Sequence, residues 1–446
     1  MFRSLNPFKL FSKPSKKRGF YEGGKKTLAN RDFWNANSSF EETATADRDT
    51  LRARARWLHE NNPIMANIDK AIINNVVGAG IGLQSKTGNK KLDDLIEKRF
   101  KAWSESCDIT GRLNFADFQR LVIESRMVDG EVFIYKKITN DGLKLQLIEA
   151  DALDSYQGTS GIELDKDGKP VKYFFKINNK SITVPAEHII NYYRIERPTQ
   201  YRGISEYKQA VLDIKNFSAY QSATVRNARA NAEIAYTIET ERPTGTFGSV
   251  ADEGTGDELQ EINGLMVYYL RPGEKATKHK NDMGSGYKDF ITSTVRMIAT
   301  ARNISYELAF RDYSQVNFAS SRASLIQDNK RFDYEQNHIK SYVLNQIFNE
   351  WIEIEVSSGS LPINITKWMK DKTQFIVPRW SFPKREWVNP QQDMKAIEKE
   401  IELNLTTMSD LAHERGLDFE EVLKTKQKEK ELLNKYGLQN KEGNNA

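Results

Sequence analysis

The sequence is poor in the residues that most catalytic chemistry needs. One cysteine, Cys107, occurs in 446 residues. An intramolecular disulfide is therefore excluded, and the usage fits a reducing compartment. The five histidines, His59, His188, His279, His338 and His413, are scattered, and none falls in an H-E-x-x-H or similar ligand spacing. No run approaches the ~20 apolar residues that a bilayer span requires. The N-terminal stretch lacks the apolar core of a secretory leader. No G-x-S-x-G elbow is present, and Glu105 and Asp108 beside Cys107 read as a polar helix end rather than a catalytic dyad. Gly19 to Lys26 (GFYEGGKK) approaches a phosphate-binding loop. It fails where Lys26 replaces the Ser or Thr that would hold magnesium, and no apolar strand precedes it. Gly78-Ala79-Gly80-Ile81-Gly82 is not a dinucleotide fingerprint, because Leu83 breaks the spacing and a helical segment precedes it. The expectation is a chain that is not an enzyme and uses no cofactor or metal.

What is present is enough to fold. Apolar residues make up 39% and aromatics 11%, which supports a real core over two to four structural units. The 66 basic and 61 acidic residues nearly cancel, leaving +5. That balance excludes a surface built wholly to grip nucleic acid, but suits one that DNA slides past.

The central stretch is Arg197 to Glu239. After Arg197-Pro198 and Gly203, no Gly or Pro appears until Pro243. Ser205 can cap a helix, and Ile204, Tyr207, Val211 and Ile214 follow at helical spacing. A single helix over 205–232 is roughly 42 Å long at ~1.5 Å per residue. Leu212, Phe217, Tyr220 and Ala223 lie off the first apolar face, which predicts packing on more than one side.

Around this stretch the chain divides readily. Residues 1–45 read as a basic flexible arm, with eight Lys/Arg and one acid in the first thirty. Residues 46–77 read as helical with Thr45 or Asp47 as cap, and 91–106 and 114–128 as amphipathic helices, the second capped by Asn114. From 131 to 195 the period changes to that of short antiparallel strands. Residues 233–283 hold two strands around a Gly/Thr/acid-rich insertion at 241–262. Helix returns at 287–303, a polar loop follows, and 319–356 is a long helical run. Residues 361–387 carry the core-type Trp368, Trp380 and Trp387, and from Pro390 the chain is helical and charged, ending in a polar, disordered tail.

Six stretches in this order carry a resemblance. They are RARARWLHENNPIMANIDKAIINNVVGAGI (52–81), WSESCDITGRLNFADFQRLVIESRMVDGEVF (103–133) and LQLIEADALD (145–154). RPTQYRGISEY (197–207), DYSQVNFASSRAS (312–324) and NPQQDMKAIEKEIELNLTTMSDLAHERGLDFEEV (389–422) complete the set. Each is weak alone; together they resemble the lambda-type portal proteins of tailed bacteriophages over about residues 46–435. Asn389, where that family often has Asp, and the 241–262 insertion depart from the pattern.

The resemblance implies an α+β portal-type fold with a wing, long stem helices, a clip and a helical crown, assembled as a homo-oligomeric ring of typically twelve subunits. Such a ring sits at one capsid vertex of the virion, and double-stranded DNA is packaged and ejected through it. The implied partners are the terminase large subunit, the head–tail adaptor, and the major capsid and scaffold proteins, with no membrane. Mapped here, 46–200 is wing, 201–232 the first stem helix, 233–286 the clip and 287–303 the second stem helix. The tunnel loop is 304–320, the long helix and return to the wing 321–388, and the crown with its tail 389–446. Gly203 becomes the bend from wing to stem. The DNA-channel candidates are Arg302, Arg311, Ser314, Gln315, Asn317, Ser320, Ser321 and Arg322, whose polar groups suit a passing phosphate backbone. On the stem, Arg226, Arg229 and Arg296 are candidates for DNA contact or subunit ion pairs. A nucleic-acid-processing enzyme, such as a nuclease or motor, and another helical virion adaptor stay open as alternatives.

Overall fold

The computed structural model describes residues 38–155, 157, 159–239, 259–262, 265–270, 286–314, 317–385, 390–415 and 417–436. The basic arm up to residue 37, most of the 241–262 insertion, Gln315, Trp387 and the last ten residues lie outside them.

Helix α1 (Phe40–Asn61) starts earlier than the sequence suggests, because a capping box sets its origin. The Ser39 hydroxyl accepts from the Glu42 N–H, and the Glu42 carboxylate accepts from the Ser39 N–H at 3.1 Å. Thr45 and Asp47 are thus interior residues. The chain then corners at Asn62, whose side chain caps α2 (Pro63–Val76) by accepting from the N–H groups of Ile64 and Met65. With Pro63 at the first helical position, one long helix becomes two. Helix α2 buries Ile64, Met65, Ile68, Ile72, Ile73 and Val76 and turns Lys70, Asn74 and Asn75 to solvent.

Strand β1 (Gly82–Ser85) follows the glycine turn. Helices α3 (Lys90–Ser104) and α4 (Phe115–Asp129) occupy the expected places, with Asn89 and Asn114 as caps. The β unit is antiparallel throughout. β2 (Glu131–Thr139) pairs with β3 (Gly142–Ile148). β4 (Ile162–Leu164), β5 (Pro170–Ile177) and β6 (Lys180–Pro185) form a second sheet. β7 (Ile189–Tyr193) returns to the other edge of β2. Phe133, Ile148, Leu153, Ile162, Tyr173, Phe175 and Ile189 close a separate small core between the sheets.

The long central helix is shorter than its sequence suggests. Ser205 caps a single 3-10 turn (Glu206–Gln209), accepting from the Tyr207 N–H at 3.1 Å, and α5 spans Val211–Glu233. Beyond it, β8 (Ile234–Glu239) lies parallel to β10 (Leu265–Leu270), which pairs antiparallel with β9 (Leu259–Ile262). Helix α6 (Tyr287–Ala301) runs back antiparallel to α5: the Tyr220 ring sits 5.8 Å from Tyr287 and 4.2 Å from Phe290. The segment 304–320 is not a plain loop, since α7 (Tyr306–Phe310) interrupts it.

Helix α8 (Phe318–Ile339) passes through one π turn (Lys340–Leu344) into α9 (Asn345–Ser357) without a break. That run is about 60 Å long at ~1.5 Å per residue. Short helix α10 (Ile365–Lys370) leads to β11 (Pro378–Ser381), which pairs antiparallel with β1. Trp351 and Trp380 join Phe100, Trp103, Phe115 and Phe348 in an aromatic core with ring centroids 5.1 to 6.5 Å apart. The last elements are α11 (Pro390–Glu402), α12 (Met408–Glu414) and α13 (Phe419–Lys435). No residue of α11 or α13 is buried.

Candidate nucleic-acid interface and the charge cluster behind it

The expected polar residues fall on three elements: the outer part of α5, the C-terminal half of α6, and the segment from Arg311 into α8. Arg226 and Arg229 are exposed, one helical turn apart, and line a shallow groove on α5 with Gln221, Val225 and Tyr287. Arg296 is exposed on α6 and lies over the Tyr306 ring, 5.4 Å from its centroid. Arg311 is exposed at the end of α7 in a left-handed conformation, φ +56°.

Other candidates are engaged in local structure. The Ser314 N–H donates to Asp312 at 3.0 Å. Asn317 is the N-cap of α8: its side chain accepts from the Ser320 N–H at 2.9 Å, and the Ser320 hydroxyl turns back onto the Asn317 side chain and carbonyl, 3.0 Å from each. Ser321 is half-buried and its N–H continues the helix. Arg322 is exposed and pairs with Asp393 of α11 at 3.6 Å. The D-x-S-x-x-N-F-x-S-S-R stretch is thus first a turn and a helix cap.

Arg302 is placed differently from its sequence expectation. It is 1% exposed. One guanidinium nitrogen donates to Asp69 at 2.7 Å, another lies 3.1 Å from Glu206, and the group sits over the Tyr207 ring. Its position at the end of α6 points it inward, so it is a core cation and not part of an exposed face.

Around Arg302 lies a cluster that the sequence did not reveal. Glu206, just before α5, accepts from Arg126 of α4 at 2.6 Å and from Arg331 of α8 at 2.8 Å. Glu335, one turn after Arg331, accepts from Arg126 at 2.7 Å. Asp69 of α2 also receives the Tyr207 hydroxyl and the His59 ring at 2.9 Å, and the other His59 nitrogen meets Glu124 at 3.0 Å. Four cations (Arg126, Arg302, Arg331, His59) therefore face four carboxylates (Asp69, Glu124, Glu206, Glu335).

Complementary placement sets the protonation states. Burial alone would drive Glu206 neutral, yet Arg126, Arg331 and Arg302 hold its carboxyl well below the usual range. Against the same burial, Glu335 and Glu206 raise the pKa of Arg126. Hydrogen bonds to Asp69 and Glu124 push the His59 pKa up to about 10, so it is an imidazolium at neutral pH. Nearby, burial and then Arg126 and Arg194 push His338 down to about 4, leaving it neutral against Tyr192.

The cluster joins the roots of two antiparallel helices. Glu206 leads into α5 and Arg302 closes α6, while α1, α2, α4 and α8 supply the remaining partners. A second contact fixes the same root. A Cβ on Gly203 would lie 2.2 Å from the Gly130 carbonyl oxygen, and one on Gly130 (φ +94°) 2.3 Å from the Ile204 carbonyl carbon. Only two glycines let these backbones meet. Glu131, beside Gly130, accepts from the Arg202 side chain at 2.7 Å and the Gly203 N–H at 2.9 Å. Two of the six family-like stretches, at GEVF and QYRG, are thus interlocked.

Cys107 is fully buried, and burial with Asp108 nearby pushes its thiol up to about 12. Among the described residues, no group of three or more His, Cys, Asp or Glu could hold a metal ion. The arrangement is built to hold elements at fixed angles.

The sequence profile of the phage portal proteins, lambda family, matches residues 27–336. The chain belongs to this family. It is 27% identical over 435 residues to the probable portal protein of Halomonas phage phiHAP-1, covering 89% of this chain and 83% of that one. It is 21% identical to portal protein B of Escherichia phage lambda, covering 91% and 88%. Among solved structures, the neck of an empty gene transfer agent particle aligns with 83% of this chain and 94% of its own, at 11% identity and a TM-score of 0.49.

Proposed function

We propose that copies of this chain form the ring through which phage DNA enters and leaves the capsid, with α5 and α6 as the channel wall. In this reading 46–200 is wing, 233–286 the clip, 304–320 the tunnel loop, 321–388 the long helix and return to the wing, and 389–446 the crown. The observation that carries the assignment is the pairing of Glu206 with Arg302 at 3.1 Å. It closes the base of an antiparallel helix pair and anchors that pair to α2, α4 and α8.

The helix pair also presents apolar side chains that the other described residues leave exposed. Leu212 is 67% exposed and Met297 57%. Neighbouring copies in a ring supply that cover, through a heterologous interface that closes by rotation. Arg226, Arg229, Arg296, Arg311, Ser314, Asn317, Ser320, Ser321 and Arg322 are the described candidates for contact with the DNA backbone. The terminase large subunit and head–tail adaptor would dock at the clip, and the capsid and scaffold proteins around the wing. Such a subunit belongs to the virion and does no chemistry of its own.

Electron microscopy of the purified full-length chain tests this. Rings of roughly ten to fourteen subunits with an open axis are expected, as closed cyclic symmetry requires. A chain that stays monomeric even with its capsid and scaffold proteins would overturn the reading. ATP hydrolysis or DNA cleavage by the purified protein would favour an enzyme instead.

A further inference from the structure

Helix α7 has five residues, too few to hold itself helical in water. Its two ends are completed by side chains from distant parts of the chain. At the start, Ser305 accepts from the Leu308 N–H at 3.3 Å. Asp328 of α8 holds Ser305 in that pose, accepting from its N–H at 2.7 Å and from its hydroxyl at 2.6 Å. At the other end, the last carbonyls of a helix have no partner within it. The Asn67 amide of α2 donates to two of them, Leu308 at 3.0 Å and Ala309 at 2.9 Å. Asp328 is 4% exposed and Ala309 1%, so the inner side of this block is shielded from water.

The outer side of the same block carries other groups. The Arg296 guanidinium lies over the Tyr306 ring, and the Tyr306 hydroxyl donates to Asp312 at 3.3 Å. Asp312 in turn accepts from the Ser314 N–H. Arg311 follows Phe310 directly and leaves the block in the left-handed region, a conformation that an arginine keeps only where its surroundings fix it. Arg296, Arg311 and Ser314 thus all take their positions from one short helix.

We infer that Asn67 and Asp328 are positioning residues for contact with duplex DNA: by clamping the two ends of α7 they hold Arg296, Arg311 and Ser314 in one fixed arrangement against the phosphate backbone. Neither residue reaches the DNA itself; each acts through α7. Phosphate contacts set the register of a protein on a duplex, and cations fixed relative to one another neutralise their phosphates together. The inference rests on DNA passing this chain, as proposed above. Half of its test reads the clamp alone and so does not depend on DNA or on ring formation.

Two measurements on the purified full-length chain test it: hydrogen–deuterium exchange over 304–314, and duplex binding by fluorescence anisotropy as salt is raised. Asn67→Leu removes both donors at nearly constant size, and Asp328→Asn removes one of the two acceptors that Ser305 uses. In each variant the amides of 304–314 should exchange on the order of tenfold faster, with little change elsewhere, because local opening no longer breaks those hydrogen bonds. The salt slope of duplex binding should fall by ~0.9 for each of Arg296 and Arg311 that loses its phosphate. Asn67→Gln, which keeps the amide donor, should recover most of both effects. Exchange unmoved in both variants would overturn the clamp. Faster exchange at an unchanged salt slope would overturn the positioning role. A parent chain whose duplex binding has no salt slope would overturn the DNA reading, and the positioning role with it, whatever the exchange shows.

Discussion

Replacing Glu206 with Gln is the most informative single change. The substitution keeps the shape and one acceptor oxygen but removes the negative charge that Arg126, Arg302 and Arg331 share at 2.6, 3.1 and 2.8 Å. The cluster then holds four cations against three carboxylates, with the surplus charge buried. Breaking a buried ion pair from one side costs about 3–5 kcal/mol. With ~2.1 cal/mol/K per residue and roughly 300 residues unfolding together, the melting temperature should fall by about 5–8 °C. Differential scanning calorimetry on the purified chain reads this directly. Adding Arg331→Met restores the balance, three against three, and should recover at least half of the loss, because contacting residues do not act additively. A melting temperature for Glu206→Gln within about 1 °C of the parent would show that the cluster does not hold the root of α5.

The same geometry sets three further outcomes. Gly203→Ala should abolish soluble expression or cost more than about 3 kcal/mol, because its Cβ meets the Gly130 backbone; Gly82→Ala, which meets nothing within 4 Å, should melt within ~0.5 kcal/mol of the parent. His59 binds its proton more tightly folded, with a pKa of about 10, than unfolded at ~6.5, so its contribution is full below pH ~6.5 and is lost as pH rises through about 10. Thermal melts from pH 7 to 10 should therefore decline less steeply for His59→Gln, and parallel profiles would contradict the pairing. Arg226→Ala with Arg229→Ala should lower the salt slope of duplex binding, measured by fluorescence anisotropy, by ~0.9 for each phosphate that is no longer neutralised; an unchanged slope would remove both from the DNA face.

Periodicity and punctuation made much of the fold legible. Asn114 caps α4, the strands of 131–193 pair antiparallel, and Trp368 and Trp380 are buried. These features depend on local pattern. Helix boundaries that depend on competing caps were harder to read: Ser39 with Glu42 outcompetes Thr45, whereas the break at Pro63 was legible from the proline itself. The strand at 82–85 was missed because its partner, 378–381, lies almost three hundred residues away.

The site was legible only on its outer face. Arg226, Arg229, Arg296 and Arg311 are exposed as expected, but Arg302 looks identical in sequence and is buried. Nothing in a string of residues shows which of two arginines at a helix end will find a buried carboxylate. Glu206 stands inside one of the six family-like stretches, so a signal existed. Asp69 stands in another of those stretches, while Arg331 and Glu335 stand in an ordinary helical run; the role of all three appears only when the helices converge.

Whether α5 and α6 form the wall of a DNA channel is tested most directly by cryo-electron microscopy of the assembled full-length protein. The expected map has α5 and α6 around an open axis, Leu212 and Met297 against neighbouring copies, and Arg226 and Arg229 within reach of the passing duplex, with Arg302 enclosed at the helix roots. A ring whose axis is lined by other elements, or an assembly with no open axis, would contradict it.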